Sequence, residues 1–196
     1  EATSYSITVN YPFIKVKEEL TLGDYRDQLV KRIFTSLLNQ RLQELTQKEN
    51  PPFLGAGVNF GSYARGYEGF SASASVGTGD IRKGLNALVE EVERVKQYGF
   101  TASELERARK NILSFYERAY NDREKTESEN FVNEYVQHFL ERAPSPGIEK
   151  EFEYVKTLLP VITLEEVNMV SSKFRNEKNR FVYVMGPEAS GKNELP

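Results

Sequence analysis

The single histidine of this 196-residue chain is the first residue to consider for chemistry. His138 follows Glu134 by four residues, a spacing that places both side chains on one face of a helix, where a carboxylate and an imidazole can share a metal ion. Such a site needs further ligands, and the neighbouring sequence offers no cluster that supplies them. We therefore interpret His138 as a surface or packing residue and assign no metal-binding or catalytic residue in this chain.

Two glycine-containing stretches have the composition of nucleotide-binding loops but lack their context. In Gly55–Gly61 the third glycine falls one position late for G-x-G-x-x-G, and the residues after it have the alternation of a strand rather than the start of a helix. Ser190-Gly191-Lys192 lacks the upstream glycine and the downstream helix of a phosphate-binding loop. A G-x-S-x-G motif is also absent, so no serine nucleophile is indicated.

The aromatic turn Tyr63-Ala64-Arg65-Gly66-Tyr67 is the candidate binding site. Loops between strands often carry function, tyrosine gives contact area at little entropic cost, and an arginine can bind a peptide carbonyl or carboxylate. We therefore name Tyr63, Arg65 and Tyr67 as candidate substrate-binding residues. The sequence equally allows the turn to pack on a neighbouring domain.

Composition limits the classes of partner and site that the chain can have. The chain has 26 basic and 29 acidic residues and a net charge of −3, with basic and acidic residues interleaved, which argues against nucleic-acid binding. No apolar run approaches the roughly 20 residues of a membrane span. The absence of cysteine excludes disulfides and thiolate metal sites. Because the chain begins at Glu1 and has no signal-peptide pattern, we expect it to be a piece of a larger protein.

Alternating apolar residues predict the strands. One strand with a buried face is expected from Tyr5 to Tyr11, and the strands Phe53–Phe60 and Tyr67–Val76 are expected to form a hairpin joined by Gly61–Gly66. The short apolar run Phe181–Met185 predicts a final buried strand.

Apolar residues at helical spacing predict the helices between these strands. Thr21 is a predicted helix cap, and Thr101 with Glu104 and Thr163 with Glu166 form predicted capping boxes. Glu91 is expected on the solvent side of its helix. The predicted buried stripes are Leu22, Tyr25, Leu29, Ile33, Leu37 or Leu38, Leu42 and Leu45; Ile81, Leu85, Leu88, Val92 and Val95; Leu105, Ala108, Ile112, Phe115 and Ala119; Phe131, Val132, Tyr135 and Phe139; Ile148, Phe152, Val155 and Leu159; and Val167, Val170 and Phe174.

Strands at both ends and in the middle, with long helices between them, predict an α+β fold. We expect a mixed, largely antiparallel sheet covered on one face by several helices. The helices of the second half need the same sheet to cover, so residues 1–188 are predicted to form one domain, with a polar linker or tail at 189–196.

The phrase GLNALVEEVERVKQYGFTASELERARKNILSFYERAYN resembles the pitrilysin or insulinase family of zinc peptidases. So do LNQRLQELTQKENPPFLGA and LLPVITLEEVN, and the similarity covers nearly the whole chain. The resemblance implies one α+β repeat of a chain whose halves close around peptide substrates. The family's zinc motif, H-x-x-E-H, needs two histidines, so a chain with one histidine is not the catalytic domain.

The resemblance also implies a position in the parent protein. Distal repeats of the family often carry L-R-E-K-R-G-L-A-Y, whereas here Thr46 follows Leu45 and prolines 51 and 52 fall where the phrase would continue. This departure favours a non-catalytic second domain over the last one. The resemblance to large bacterial zinc proteases implies zinc on a sister domain, and sister domains and peptides as partners. It also suggests a periplasmic or envelope location. The alternative is a non-enzymatic scaffold of a family relative that has lost the zinc motif.

Overall fold

The computed structural model describes residues 4–15, 21–64, 66–77, 80–125, 128–141, 144–174 and 178–186. The predicted tail at 189–196 lies outside these ranges, as do Arg65 and the Ser190-Gly191-Lys192 stretch. The boundary drawn at residue 188 therefore stays a prediction.

An antiparallel sheet forms the base of the domain. Its strands are β1 Tyr5–Asn10, β2 Ile14–Lys15, β3 Gly55–Ala64, β4 Tyr67–Val76 and β5 Phe181–Met185. Strand β4 pairs with β3 on one side and with β1 and then β2 on the other, and β5 pairs with the free side of β1. Every described pairing is antiparallel. The predicted α+β class and the β3–β4 hairpin are confirmed.

Six α-helices follow in the described residues: α1 Leu22–Thr46, α2 Ile81–Tyr98, α3 Ala102–Asn121, α4 Ser128–Glu141, α5 Ile148–Leu158 and α6 Leu164–Met169. Short 3₁₀ segments lie at Arg123–Lys125, Leu159–Val161 and Val170–Phe174. The caps are those that the sequence predicts. The side chains of Thr21, Thr101 and Thr163 each accept a hydrogen bond from the backbone N–H three residues on. The acidic side chain at that position accepts in turn from the backbone N–H of the threonine.

The core lies between one face of the sheet and the helices. Ile7 and Val9 of β1 and Phe70, Ala72 and Val76 of β4 point into it and are almost completely buried. Helix α1 packs against β3, and α2 packs against β4 and β1. The alternate residues of β4, including the exposed Ser73, lie on the opposite face, as period-two alternation predicts.

Helix α1 also covers the outer edge of β3. The side-chain amide of Asn39 donates to the carbonyl of Val58 at 3.1 Å, and its oxygen accepts from the Val58 N–H at 2.7 Å. An uncovered strand edge presents unpaired backbone groups that can pair with another chain. Asn39 therefore satisfies the sheet edge at the point where α1 crosses it.

Two glycines are required by close contacts. A Cβ at Gly84 of α2 would lie 2.4 Å from a methyl group of Val76, so glycine lets the helix approach the sheet. Gly99 ends α2 with φ of +68°, a conformation that favours glycine, and a Cβ there would lie 2.6 Å from the Asn168 side chain. The Asn168 oxygen accepts from the Phe100 N–H at 2.8 Å, which holds the α2–α3 turn against α6.

Helix α4 differs most from its predicted packing. Phe131, Val132, Tyr135 and Phe139 were predicted to point inward, and this prediction was wrong because they are 42%, 56%, 62% and 83% exposed. Apolar spacing identifies one face of a helix but not what covers it, and within the described residues this face has little cover.

Three smaller predictions of burial were also wrong. In α3 Phe115 is 56% exposed and Tyr116 is buried in its place, because the next buried position after Ile112 is four residues on and not three. Strand β5 forms but is mostly exposed, because it is an edge strand of the described sheet. Leu22, at the first position of α1, is exposed because it precedes the packed turns.

Glu91 was predicted to face solvent, but only 4% of it is exposed. Its carboxylate pairs with Arg41 of α1 at 3.5 Å and with Arg94 at 3.2 Å. The partner from α1 lies 50 positions away in the sequence, so helix periodicity alone does not reveal the pair. Within single helices, Glu91 pairs with Arg94 and Glu106 with Arg109, each three positions apart.

Arg41 joins three elements through one guanidinium group. Its Nε and Nη2 donate to the Glu104 carboxylate at 2.7 and 3.0 Å, and Nη2 also donates to the Gly99 carbonyl at 3.1 Å. The guanidinium carbon lies 4.8 Å from the centre of the Phe100 ring. The hydrogen bond from Arg41, with those from Thr101, lowers the pKa of Glu104 to about 2.

We expect the Arg41–Glu104 pair to make stability depend on pH. A carboxyl group with a lowered folded pKa stabilises the fold above its ordinary value near 4.5 and loses that contribution as the pH falls towards 2. Glu104→Gln should lower the free energy of unfolding by about 1–3 kcal/mol at pH 7. The difference from wild type should shrink below pH 4.5, as measured by urea unfolding across this pH range.

The matched control is Glu106→Gln, which removes a more exposed ion pair from the same helix and should cost less than about 0.5 kcal/mol. A Glu104→Gln penalty that stays constant from pH 7 to pH 2.5 would contradict the assignment.

Candidate functional site

The predicted turn lies at the tip of the β3–β4 hairpin. Strand β3 extends to Ala64, further than the sequence predicted, so the connection is short and ends at Gly66, whose φ is +79°. Tyr67 is 46% exposed. Arg65 and the side chain of Tyr63 lie outside the described residues, so the binding role given to these three residues stays a prediction.

A buried ion pair fixes this hairpin close to its tip, where Glu68 of β4 is paired with Ser62 of β3. The Lys31 amine of α1 donates to both Glu68 oxygens at 2.7 and 2.8 Å, and the two side chains are only 9% and 12% exposed. Phe60 of β3 packs beside it against Phe34 of α1. The end of the hairpin is therefore held against the middle of α1.

Glu134 and His138, the residues considered for metal binding, both lie on α4. Ser145 donates a hydrogen bond to Glu134. Across the described residues, no group of three or more histidine and acidic side chains is close enough to hold a metal ion. The residues present do not fit the zinc site that H-x-x-E-H would form.

A polar cleft opens between α1, β3, α3 and α5 and encloses about 360 Å³. We call it the Arg32 cleft. The residues that line it are Tyr25, Gln28, Leu29, Lys31, Arg32, Thr35, Asn59, Phe60, Tyr116 and Glu151. Sequence reasoning placed Tyr25 in a buried stripe and did not single out Arg32 or Tyr116, because the two meet across 84 positions.

Arg32 and Tyr116 form the inner wall of the cleft. An Arg32 Nη1 donates to the hydroxyl oxygen of Tyr116, and the guanidinium carbon lies 5.4 Å from the centre of the Tyr116 ring. Tyr116 is 4% exposed, whereas Arg32 is open to solvent. The buried phenol therefore orients a guanidinium group that a ligand can reach.

Burial raises the pKa of two further groups of the cleft. The Tyr25 hydroxyl is buried beside Tyr116, and burial, followed by its hydrogen bond with Tyr116 and the nearby charge of Glu151, raises its pKa. Burial also raises the pKa of Glu151, an effect that Arg32 opposes. Chemically the cleft can bind a polar group, and nothing in its geometry indicates a nucleophile.

Helix α4 exposes several large apolar side chains. Val136 and Leu140 add to the four side chains named above, with exposures of 44% and 55%. Exposed apolar patches of this kind mark interaction sites in soluble proteins.

None of the described helices is both long enough and apolar enough to cross a membrane.

Comparisons with known proteins relate the chain to zinc proteases. It is 30% identical over 190 residues to the zinc protease PQQL-like protein of Arabidopsis thaliana, which covers 97% of this chain and 17% of that protein. The chain thus spans about one sixth of the length of this curated relative. No family model matches the sequence.

Solved structures share the fold. The first half of the periplasmic protease PqqL from Escherichia coli matches with a TM-score of 0.82 and 20% identity, over 91% of this chain and 38% of that one. The inactive peptidase domain of a putative zinc protease from Bordetella parapertussis matches with a TM-score of 0.64 and 14% identity, over 98% of this chain and 95% of that one.

Proposed function

The chain belongs to the pitrilysin (insulinase) family of zinc proteases and has the fold of its inactive domain, and we propose that it helps to form the substrate chamber of a zinc metalloendopeptidase. The observation that carries the proposal is the combination of this fold with a single histidine. One histidine cannot supply the two imidazoles of H-x-x-E-H. The zinc and the catalytic groups then lie on a sister domain.

The position we propose in the parent protein is next to the zinc-bearing domain. The similarity to the first half of PqqL and the missing L-R-E-K-R-G-L-A-Y phrase both support a second domain rather than a distal one. We propose residues 1–188 as the domain and residues 189–196 as a polar linker or tail. The periplasmic location of PqqL supports a periplasmic or envelope location for the parent.

The apolar side of α4 supports contact with a neighbouring domain of the same polypeptide. Its six exposed apolar side chains lie on one helix that contacts the rest of the described structure little. The structurally similar chain from PqqL is more than twice as long as the matched segment. We therefore propose that another domain of the parent covers this helix.

We expect zinc and activity to belong to the parent and not to this chain. The full-length parent should bind about one zinc per chain by mass spectrometry and cleave quenched-fluorescent peptides, while the 196-residue chain does neither. His138→Ala in the parent should change neither zinc content nor turnover, because His138 is not a zinc ligand.

Zinc-dependent cleavage by the purified chain would place a site around His138 and overturn the proposal. Absence of zinc and cleavage in both proteins would favour the non-enzymatic scaffold.

We further propose that Arg65, with Tyr63 and Tyr67, contacts the peptide substrate. Arg65→Ala in the parent should raise KM by about 3- to 10-fold at unchanged zinc content, because a donor to a peptide carbonyl or carboxylate is removed. Arg107→Ala, a change at an exposed arginine of α3, is the matched control. Unchanged peptide turnover in Arg65→Ala would remove this role.

The proposed cover of α4 predicts a difference in chemical labelling. The chain contains no cysteine, so Phe139→Cys introduces one thiol at the most exposed position of the apolar side. Iodoacetamide should label it at least tenfold more slowly in the parent than in the isolated chain, as measured by peptide mapping. Lys48→Cys, in an exposed loop, should be labelled equally in both.

Equal labelling of position 139 in both proteins would contradict the proposed domain contact. Protection in the isolated chain that grows with its concentration would assign the surface to a second copy instead.

A further inference from the structure

We propose that the Arg32 cleft binds a carboxylate group of a peptide, either the C-terminal carboxylate or an acidic side chain, through the guanidinium of Arg32. This goes beyond the function proposed above, because the site lies within this chain and is measurable without any protease activity. Three observations support it.

First, within the described residues Arg32 has no carboxylate partner, whereas Arg26 and Arg41 each have one. Arg26 donates to both oxygens of Glu166 at 2.6 and 2.9 Å, and Arg41 holds Glu104 in the same two-pronged way. Within the described residues Arg32 forms no ion pair, and its one side-chain partner is the Tyr116 hydroxyl. A guanidinium group has five N–H donors in a plane, a geometry that matches a carboxylate.

Second, the guanidinium group is oriented before any ligand arrives. Tyr116 is buried in α3, so its hydroxyl and ring fix Arg32 on the side away from solvent. Orienting a donor in advance reduces the entropy that binding must remove. Tyr116 is thus a positioning residue for Arg32.

Third, the rest of the cleft suits an anionic polar group. The Lys31 charge is already neutralised by Glu68, so Arg32 supplies the unpaired positive charge among the described lining residues. The buried Tyr25 hydroxyl adds a further polar group to the same lining. The volume of about 360 Å³ falls within the range of small-ligand sites and accommodates a short peptide end.

Glu151 is the feature that could favour a cationic ligand instead. Its side chain is half-buried, and burial raises its pKa, which disfavours the charged form. No ion pair joins it to Arg32 in the described structure. We therefore expect Glu151 to weaken carboxylate binding slightly rather than to hold a cation.

The test is an NMR titration of the ¹⁵N-labelled 196-residue chain with N-acetyl-Gly-Ala and with its C-terminal amide. A second pair, N-acetyl-Glu amide and N-acetyl-Gln amide, distinguishes an acidic side chain from a chain terminus. At least one carboxylate probe should bind with a Kd of about 1 mM or tighter and shift signals of residues that line the cleft. Its neutral counterpart should bind at least tenfold more weakly.

Variants show which residues bind. Arg32→Gln should weaken binding at least tenfold, and Tyr116→Phe should weaken it about threefold, since the guanidinium remains but loses its hydroxyl partner. Glu151→Gln should bind equally well or more tightly. Arg107→Gln, at an exposed arginine on α3 remote from the cleft lining, should match wild type, and circular dichroism verifies folding of each variant.

Equal affinity for charged and neutral probes, or full binding by a folded Arg32→Gln variant, would overturn the proposal. Loss of binding in Glu151→Gln with retention in Arg32→Gln would also overturn it, because Glu151 and not Arg32 would then hold the probe.

Discussion

The packing of Phe34 is the constraint on which the rest of the domain depends. Phe34 of α1 is completely buried, and its ring lies 5.4–6.3 Å from the rings of Phe60, Phe70, Phe100 and Phe174. These rings belong to β3, β4, the α2–α3 turn and the 3₁₀ segment before β5, so one side chain joins the sheet to elements from both halves of the chain. Loss of such a buried ring generally costs about 3–5 kcal/mol, a large fraction of the stability of a domain.

Because α1 is fixed by this apolar face, its polar side chains become fixed positions for other elements. Arg41 holds the end of α2 and the start of α3, Lys31 holds the β3–β4 hairpin near its tip, and Arg32 faces the cleft between α1 and α3. The first two are paired with carboxylates of this chain, whereas Arg32 meets a phenol. The same helix thus supplies both structural ion pairs and the candidate binding group.

The features that sequence reasoning predicted correctly are local ones. The capping threonines at 21, 101 and 163 and the alternation in β1 and β4 depend on residues that are neighbours in the chain. The features that it missed depend on distant partners: Glu91 pairs with Arg41, and Tyr116 accepts a hydrogen bond from Arg32. Helix α4 shows the same limit, since its apolar side was identified correctly but its burial was not.

The sequence by itself determined that this chain is an α+β domain of the zinc protease family and that it lacks the two histidines of the catalytic motif. The fold class rests on short-range periodicity, the family on the resemblance of phrases such as LLPVITLEEVN, and the missing motif on the histidine count, and none of these needs knowledge of what lies across the core. Only the tertiary structure decided which arginines are neutralised and which one faces a cleft. Charge pairing depends on distances of a few ångströms between residues that the chain separates by 37 to 140 positions, and folding alone brings them together.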